Sequence, residues 1–171
     1  NDRFGRGTST DLGGNRLPIQ EVYSSQFVKM TELSYEQKLF SNRLDMRVGL
    51  WAMGNAFGGL PMLCDFVNAA FCAHPLTFSA NSGWGNYPNS RLGASAQWIF
   101  SSNLNLTGGG IQINPNYSEV SHAFSLDSHV TLGAIFPVQI EDKAGDGIGQ
   151  DGYPGDYKIV TFLHNSRSLG A

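Results

Sequence analysis

Phe27–Trp51, FVKMTELSYEQKLFSNRLDMRVGLW, reads as two β-strands of one hairpin whose two faces suit different solvents. In the second strand Leu44, Met46, Val48 and Leu50 alternate with Asp45, Arg47, Gly49 and Trp51, the period of two that a pleated strand imposes on its side chains. The first strand is less regular. Leu33, Tyr35 and Leu39 take one face, Glu32, Ser34, Glu36 and Lys38 the other, and Lys29, Met30 and Gln37 break the phase. Ser41-Asn42 between them is turn chemistry, short enough to require an antiparallel neighbour. Alternation alone leaves two readings open: the oily face packs on the core of a soluble sandwich, or it meets lipid.

Working outward, 171 residues suffice for one domain with a sizeable core. A net charge of −3 with 15% charged residues lacks the basic stripe of a nucleic-acid binder. Twenty-one glycines and many aromatics predict an all-β chain rich in turns, because helices tolerate glycine poorly. No window approaches the about 18 consecutive apolar residues of a membrane helix. That excludes helical spans and leaves membrane β-strands open, since each of those needs only about ten alternating residues. Residues 1–16 hold neither an initiator Met nor the apolar core of a signal peptide, so the chain is expected to begin inside a longer protein.

Beyond the opening hairpin, a segment at about 55–89 carries Gly58-Gly59, Pro61, Pro75, Pro88 and Gly83-Trp84-Gly85, and loops of that size within a domain usually carry function. Cys64 and Cys72 fall within it. A bridge between them would imply an oxidising compartment; two free thiols are the other possibility. A metal site is poorly supported, because His74 is the only further ligand nearby and no second cysteine pair exists. A second hairpin follows: Leu92, Ala94, Ala96 and Trp98 alternate with Arg91, Gly93, Ser95 and Gln97, and Ser101-Ser102-Asn103 turns the chain into Leu104–Asn114. Leu104 and Leu106 have the opposite parity to Ile111 and Ile113, which predicts a bulge or bend at Gly108-Gly109-Gly110. A third pair sets Val130, Leu132, Ala134, Phe136 and Val138 on one face, then a Gly/Asp-rich link from Glu141 to Asp156, then Tyr157–His164. The link lacks the order of a calcium loop and reads as a hairpin connection. Short turns within the first two hairpins, long links between hairpins, and Phe40, Trp98 and Phe100 beside the short turns match the asymmetry and the aromatic girdle of an outer-membrane barrel.

Within the long segment, Leu60-Pro61-Met62-Leu63-Cys64-Asp65-Phe66, Asn68-Ala69-Ala70-Phe71-Cys72-Ala73-His74-Pro75 and Asn81-Ser82-Gly83-Trp84-Gly85-Asn86-Tyr87-Pro88 closely resemble the carbohydrate-selective porin family of the OprB type. Thr31-Glu32-Leu33-Ser34-Tyr35-Glu36-Gln37, Ile113-Asn114-Pro115 and Pro154-Gly155-Asp156-Tyr157 agree, so the resemblance runs from about Leu17 to Ser166. It implies an antiparallel up-and-down transmembrane β-barrel of sixteen strands that passes monosaccharides by facilitated diffusion across the bacterial outer membrane. Six strands cannot close such a barrel. Residues 1–171 are therefore expected to be a partial porin β-barrel domain lacking its signal peptide, first strands and C-terminal half.

Such a pore needs neither catalyst nor cofactor. It needs polar groups that replace a sugar's water shell and aromatic faces that stack on its C–H faces. The alternation assigns Glu32, Ser34, Glu36, Lys38, Asp45, Arg47, Arg91, Ser95 and Gln97 to the pore wall. The long loop, stapled if Cys64 and Cys72 bridge, is expected to carry Trp84, Tyr87, Asn81 and Asn86 toward the lumen. Partners are small neutral sugars and outer-membrane lipid, with no nucleic acid. Where the family commonly has Gly-Arg and Gly-Glu-Asp-Phe, this chain has Gly49-Leu50 and Gly54-Asn55-Ala56-Phe57, so three constriction charges are absent and a particular sugar is not carried over. The different-class alternative is a secreted β-sandwich carbohydrate-binding module with Trp84 and Tyr87 as its platform. An enzyme is the weakest reading, because Glu32 and Glu36 lie on one alternating strand with nothing to set their acidities apart.

Overall fold

The computed structural model describes residues 2–3, 27–60, 65, 83, 85, 87, 89–114, 116, 119–126, 131–145 and 155–165. Two short strands, β1 (Asp2–Arg3) and β2 (Phe27–Val28), pair with each other. The main sheet is built from β3 (Leu33–Leu39), β4 (Leu44–Trp51), β5 (Arg91–Ile99), β6 (Leu104–Ile113), β7 (Gly133–Ala144) and β8 (Gly155–His164). Its six strands follow chain order, each antiparallel to the next, and the sheet is open. Among the described residues no helix is long and apolar enough to cross a membrane. The opening hairpin is thus shorter than expected from the sequence: Phe27 and Val28 pair with β1, and the wall strand starts at Leu33.

One face of this meander is apolar and open. Leu33, Tyr35, Met46, Val48, Trp98, Leu104, Phe136, Val138, Ile140, Tyr157, Ile159 and Leu163 all point to it and are all exposed, Leu163 at 77%. An apolar surface running across six strands is not a water-facing surface; it suits the hydrocarbon band of a bilayer. The tight turns close one end of the sheet. Phe40, Ser41 and Asn42 adopt positive φ in the β3–β4 turn, and Phe40 lies 6.1 Å from Trp98 across the hairpins, centroid to centroid, forming the expected aromatic girdle with exposed Phe100.

The opposite face carries the expected charges over its turn-side half, but its other half is oily. Trp51, Ile111, Ile113 and Ile135 project there and are covered by Met53 and Phe57 from the segment after β4, with Leu132, Val160 and Phe162 packed at the edge. Phe57 and Met53 are fully buried, and each such side chain contributes roughly 2 kcal/mol relative to exposure. The parity change along β6 therefore needs no bulge. Registers with β5 and β7 run without a slip from end to end, and Ile111 and Ile113 face inward because an apolar cover awaits them. The glycines serve as seats: Phe57 Cζ would stand 3.3 Å from a Cβ on Gly109, and the Phe136 ring 3.4 Å from one on Gly110. Opposite them Pro137 has no N–H, and the β6–β7 ladder skips Gly109 and Gly110.

Two further expectations change. The link after β7 is shorter than Glu141–Asp156, because β7 continues through Ala144, leaving Glu141 and Lys143 on the charged face. Leu132 precedes β7 and packs on the inner cluster, away from Ala134, Phe136 and Val138; Val130 lies outside the described residues.

Gly49 holds the first hairpin together. Its φ is +137°, and a Cβ there would come within 2.3 Å of the Leu33 carbonyl oxygen, so any side chain parts β3 from β4. Gly49→Ala is expected to cost at least about 1–3 kcal/mol and to lower the yield of the folded, heat-modifiable form in detergent, whereas Gly108→Ala, whose nearest atom is 4.0 Å away, leaves that yield nearly unchanged.

Candidate functional site

The charged half of the inner face is a cross-strand set of paired groups, built by register. β3–β4 pairing places Glu36 opposite Arg47 and Lys38 opposite Asp45, and Lys38 Nζ lies 3.3 Å from Glu36 and 3.7 Å from Asp45. Arg47 ion-pairs with Glu32, donates to Ser34 Oγ at 3.2 Å, and has its guanidinium 5.3 Å from the Trp51 ring centroid. On β5 and β6, Gln97 donates to Asn105 Oδ1 at 3.2 Å, and Asn105 donates to Glu141 at 2.8 Å. Glu141 also receives Lys158 at 2.9 Å, and Lys158 reaches Asp156 at 3.2 Å. Opposite charges thus meet repeatedly across neighbouring strands, which keeps the wall polar and offsets much of its carboxylate charge.

These groups surround a concavity of about 290 Å³ lined by Glu36, Asp45, Arg47, Ser95, Gln97, Thr107, Gln139, Glu141 and Lys158, and bordered by Ala56 and Gly59. The Thr107 hydroxyl on this wall is buried and has no hydrogen-bond partner among the described residues. Donors and acceptors of both kinds line a space of small-molecule size, an arrangement suited to neutral polyhydroxyl solutes. Among the described residues no three His, Cys, Asp or Glu side chains gather as metal ligands.

Of the residues singled out in the sequence, Glu36, Asp45, Arg47 and Gln97 come together around this concavity, with Glu32 and Lys38 as ion-pair partners at its margin. Arg91 shares the face but is buried at the far end of β5, where its Nη1 donates to the Ser90 carbonyl. Tyr87 is exposed at 42%. Trp84, Asn81, Asn86, Cys64 and Cys72 lie outside the described residues. Asn105, Thr107, Gln139, Glu141 and Lys158 were not anticipated from the sequence. Their signal was the parity opposite Leu104 and Leu106 on β6 and opposite Phe136, Val138, Ile140, Tyr157 and Ile159 on β7 and β8, hidden at Glu141, which was read as loop. Of the changed positions, Leu50 lies on the outer parity between Leu33 and Leu92, Ala56 borders the concavity, and the Asn55 side chain is outside the description.

At the end where the long links lie, outside the strands, Lys29 donates to Asn89 Oδ1 at 2.9 Å. Burial, with the nearby Arg91 charge adding to it, lowers its pKa from the ordinary 10.5 to about 8.

The profile of the carbohydrate-selective porin, OprB family matches residues 1–169. Porin B of Pseudomonas aeruginosa (strain PAO1) is 29% identical over 169 residues, which is 98% of this chain and 36% of that protein. The structure of Pseudomonas putida OprB determined at high pH superposes with a TM-score of 0.82 at 27% identity, covering 96% of this chain and 39% of that one. The chain thus spans little more than a third of the length of these relatives.

Two outcomes follow from the geometry, both read on the full-length gene product in detergent. Glu141→Gln deprives Lys158 of its closest carboxylate and is expected to lower unfolding stability by about 1–3 kcal/mol, with part of the loss recovered in the Glu141→Leu/Lys158→Met double variant. Lys29 is protonated in both states below about pH 8 and only in the unfolded chain between about 8 and 10.5, so it makes stability rise with pH across that window. The unfolding midpoint of the wild type is expected to climb there relative to that of Lys29→Met.

Proposed function

Because the chain belongs to the carbohydrate-selective porin family of the OprB type, a family of outer-membrane β-barrels, we propose that its six strands are part of a barrel wall through which small neutral sugars cross the outer membrane by facilitated diffusion. The observation that carries this reading is the two-sidedness of one continuous sheet: exposed aliphatic and aromatic side chains on one face, paired charges and amides on the other. Lipid covers the first face, and the second lines the aqueous path.

Passage works by exchange of hydrogen bonds. A sugar hydroxyl leaving bulk water meets carboxylates that accept, amides that do both, and lysine or arginine groups that donate, so each water lost from its shell is replaced. Pairing of Glu32 with Arg47, of Glu36 and Asp45 with Lys38, and of Glu141 and Asp156 with Lys158 offsets much of the carboxylate charge and leaves the wall with an acidic excess, while a neutral solute, held by hydrogen bonds alone, binds weakly enough to leave. Trp84 and Tyr87 of the long segment supply the stacking faces in this reading. Asn55 and Ala56, standing where the family commonly has charges, make the passage less charged in this reading, with Ala56 at the border of the concavity; Leu50 lies on the outer parity and does not line it.

The test is planar-bilayer conductance of the full-length gene product with a sugar titration. Neutral monosaccharides are expected to reduce the open-channel current in a saturable manner, and Gln97→Leu to weaken that block while leaving insertion unchanged. Channels that insert but show no sugar block, or a protein that stays folded and monomeric in buffer without detergent, would overturn the proposal; the second result favours a soluble sugar-binding module.

A further inference from the structure

The segment after β4 does not leave the sheet. Ala52 opens a 3-10 turn at Met53–Asn55, with the Ala56 and Phe57 N–H groups donating to the Met53 carbonyl at 3.0 and 3.2 Å. The Phe57 ring stacks near Trp51, 6.4 Å between centroids and 23° between planes, and lies over the seat at Gly109. The chain then turns at Gly58, where φ is +71°. It has by this point crossed the inner face of β5 and β6 and reached β7 and β8. There the Gly58 N–H donates to Gln139 Oε1 at 2.7 Å, and the Gly59 carbonyl accepts from Lys158 Nζ at 2.5 Å.

We propose that Gln139 and Lys158 are positioning residues that pin the Gly58–Gly59 backbone across the inner wall and thereby set the width of the sugar passage. This rests on the porin reading above. Gly58 and Gln139 are both buried, so the bond between them is made out of water, where an unpaired N–H is costly. Lys158 has three ammonium hydrogens and three acceptors: Glu141, Asp156 and Gly59. The two carboxylates hold the ammonium against the wall, and the third hydrogen is left for the segment. Gln139 and Lys158 lie on adjacent strands on the far side of the sheet from the point where the segment leaves β4, so the segment is tied at both ends of its crossing. Between the ties it borders the polar concavity through Ala56 and Gly59. Releasing them frees the segment to lift from β7 and β8, which widens the path and removes one side of the concavity.

The test uses the full-length gene product in two measurements. Hydrogen–deuterium exchange in detergent reads the tie directly. In Gln139→Leu and in Lys158→Met, peptides covering residues 53–60 are expected to exchange roughly tenfold faster or more, with β3–β4 peptides unchanged as the check on folding. Gln139→Glu, whose carboxylate still accepts from Gly58, retains slow exchange. Single-channel recording reads the consequence: conductance and open-channel noise rise in the two releasing variants, and sugar block weakens. Unchanged exchange at 53–60, or faster exchange with conductance and sugar block unaltered, overturns this inference while the porin reading stands. A wild-type protein that inserts without sugar block overturns both.

Discussion

Everything in this sheet depends on one constraint: a strand in hydrocarbon must find a hydrogen-bond partner for every backbone amide and carbonyl, because lipid offers none. Strands β3 to β8 meet it where they neighbour one another, through five successive antiparallel ladders that keep their register, the β6–β7 ladder skipping Gly109 and Gly110 beside Pro137. Register then decides the rest. Since side chains alternate, a slip by one residue anywhere would carry Asp45, Arg47, Gln97 or Glu141 into lipid and Val48, Ala96 or Ile140 into the aqueous side. Gly49 shows how tight the constraint is, for the approach of Leu33 and Ser34 leaves no room for a Cβ.

The inner face meets a second requirement in two ways. Near the short turns its residues stay polar and pair with one another across strands. Near the long links Trp51, Ile111, Ile113 and Ile135 are kept from water by Met53 and Phe57. The segment that brings those two residues inward is the same one that reaches Gln139 and Lys158, so the hydrophobic cover and the polar ties act on one stretch of backbone. A β-strand wall by itself is smooth and wide. A segment laid across it gives the wall a shape that a solute can sense.

Much of this was legible in the residues. Leu44–Trp51 and Arg91–Ile99 alternate so regularly that strand, hairpin partner and two-solvent character follow from the pattern, and Glu36, Asp45, Arg47 and Gln97 were identified on the inner side by parity alone. The parity change in β6 was read as a bulge because an apolar residue on the aqueous side of a wall has no local justification. Its justification is Phe57, more than fifty residues earlier in the chain. Likewise Glu141 looked like loop because it opens a stretch rich in Gly and Asp, whereas pairing with Lys158 on β8 extends β7 beyond it.

What the sequence determined by itself was period and composition: which residues share a face, where the short turns fall, and that no window is apolar enough for a membrane helix, since these are set by bonded neighbours. What only the tertiary structure decided was which residues of distant strands meet. Gln97 with Asn105, Asn105 with Glu141, Glu141 with Lys158, and Gly58–Gly59 with Gln139 and Lys158 all join different segments. Such contacts depend on the register of every intervening ladder and on the path of a link across the sheet, and neither is encoded in the local alternation of any one strand.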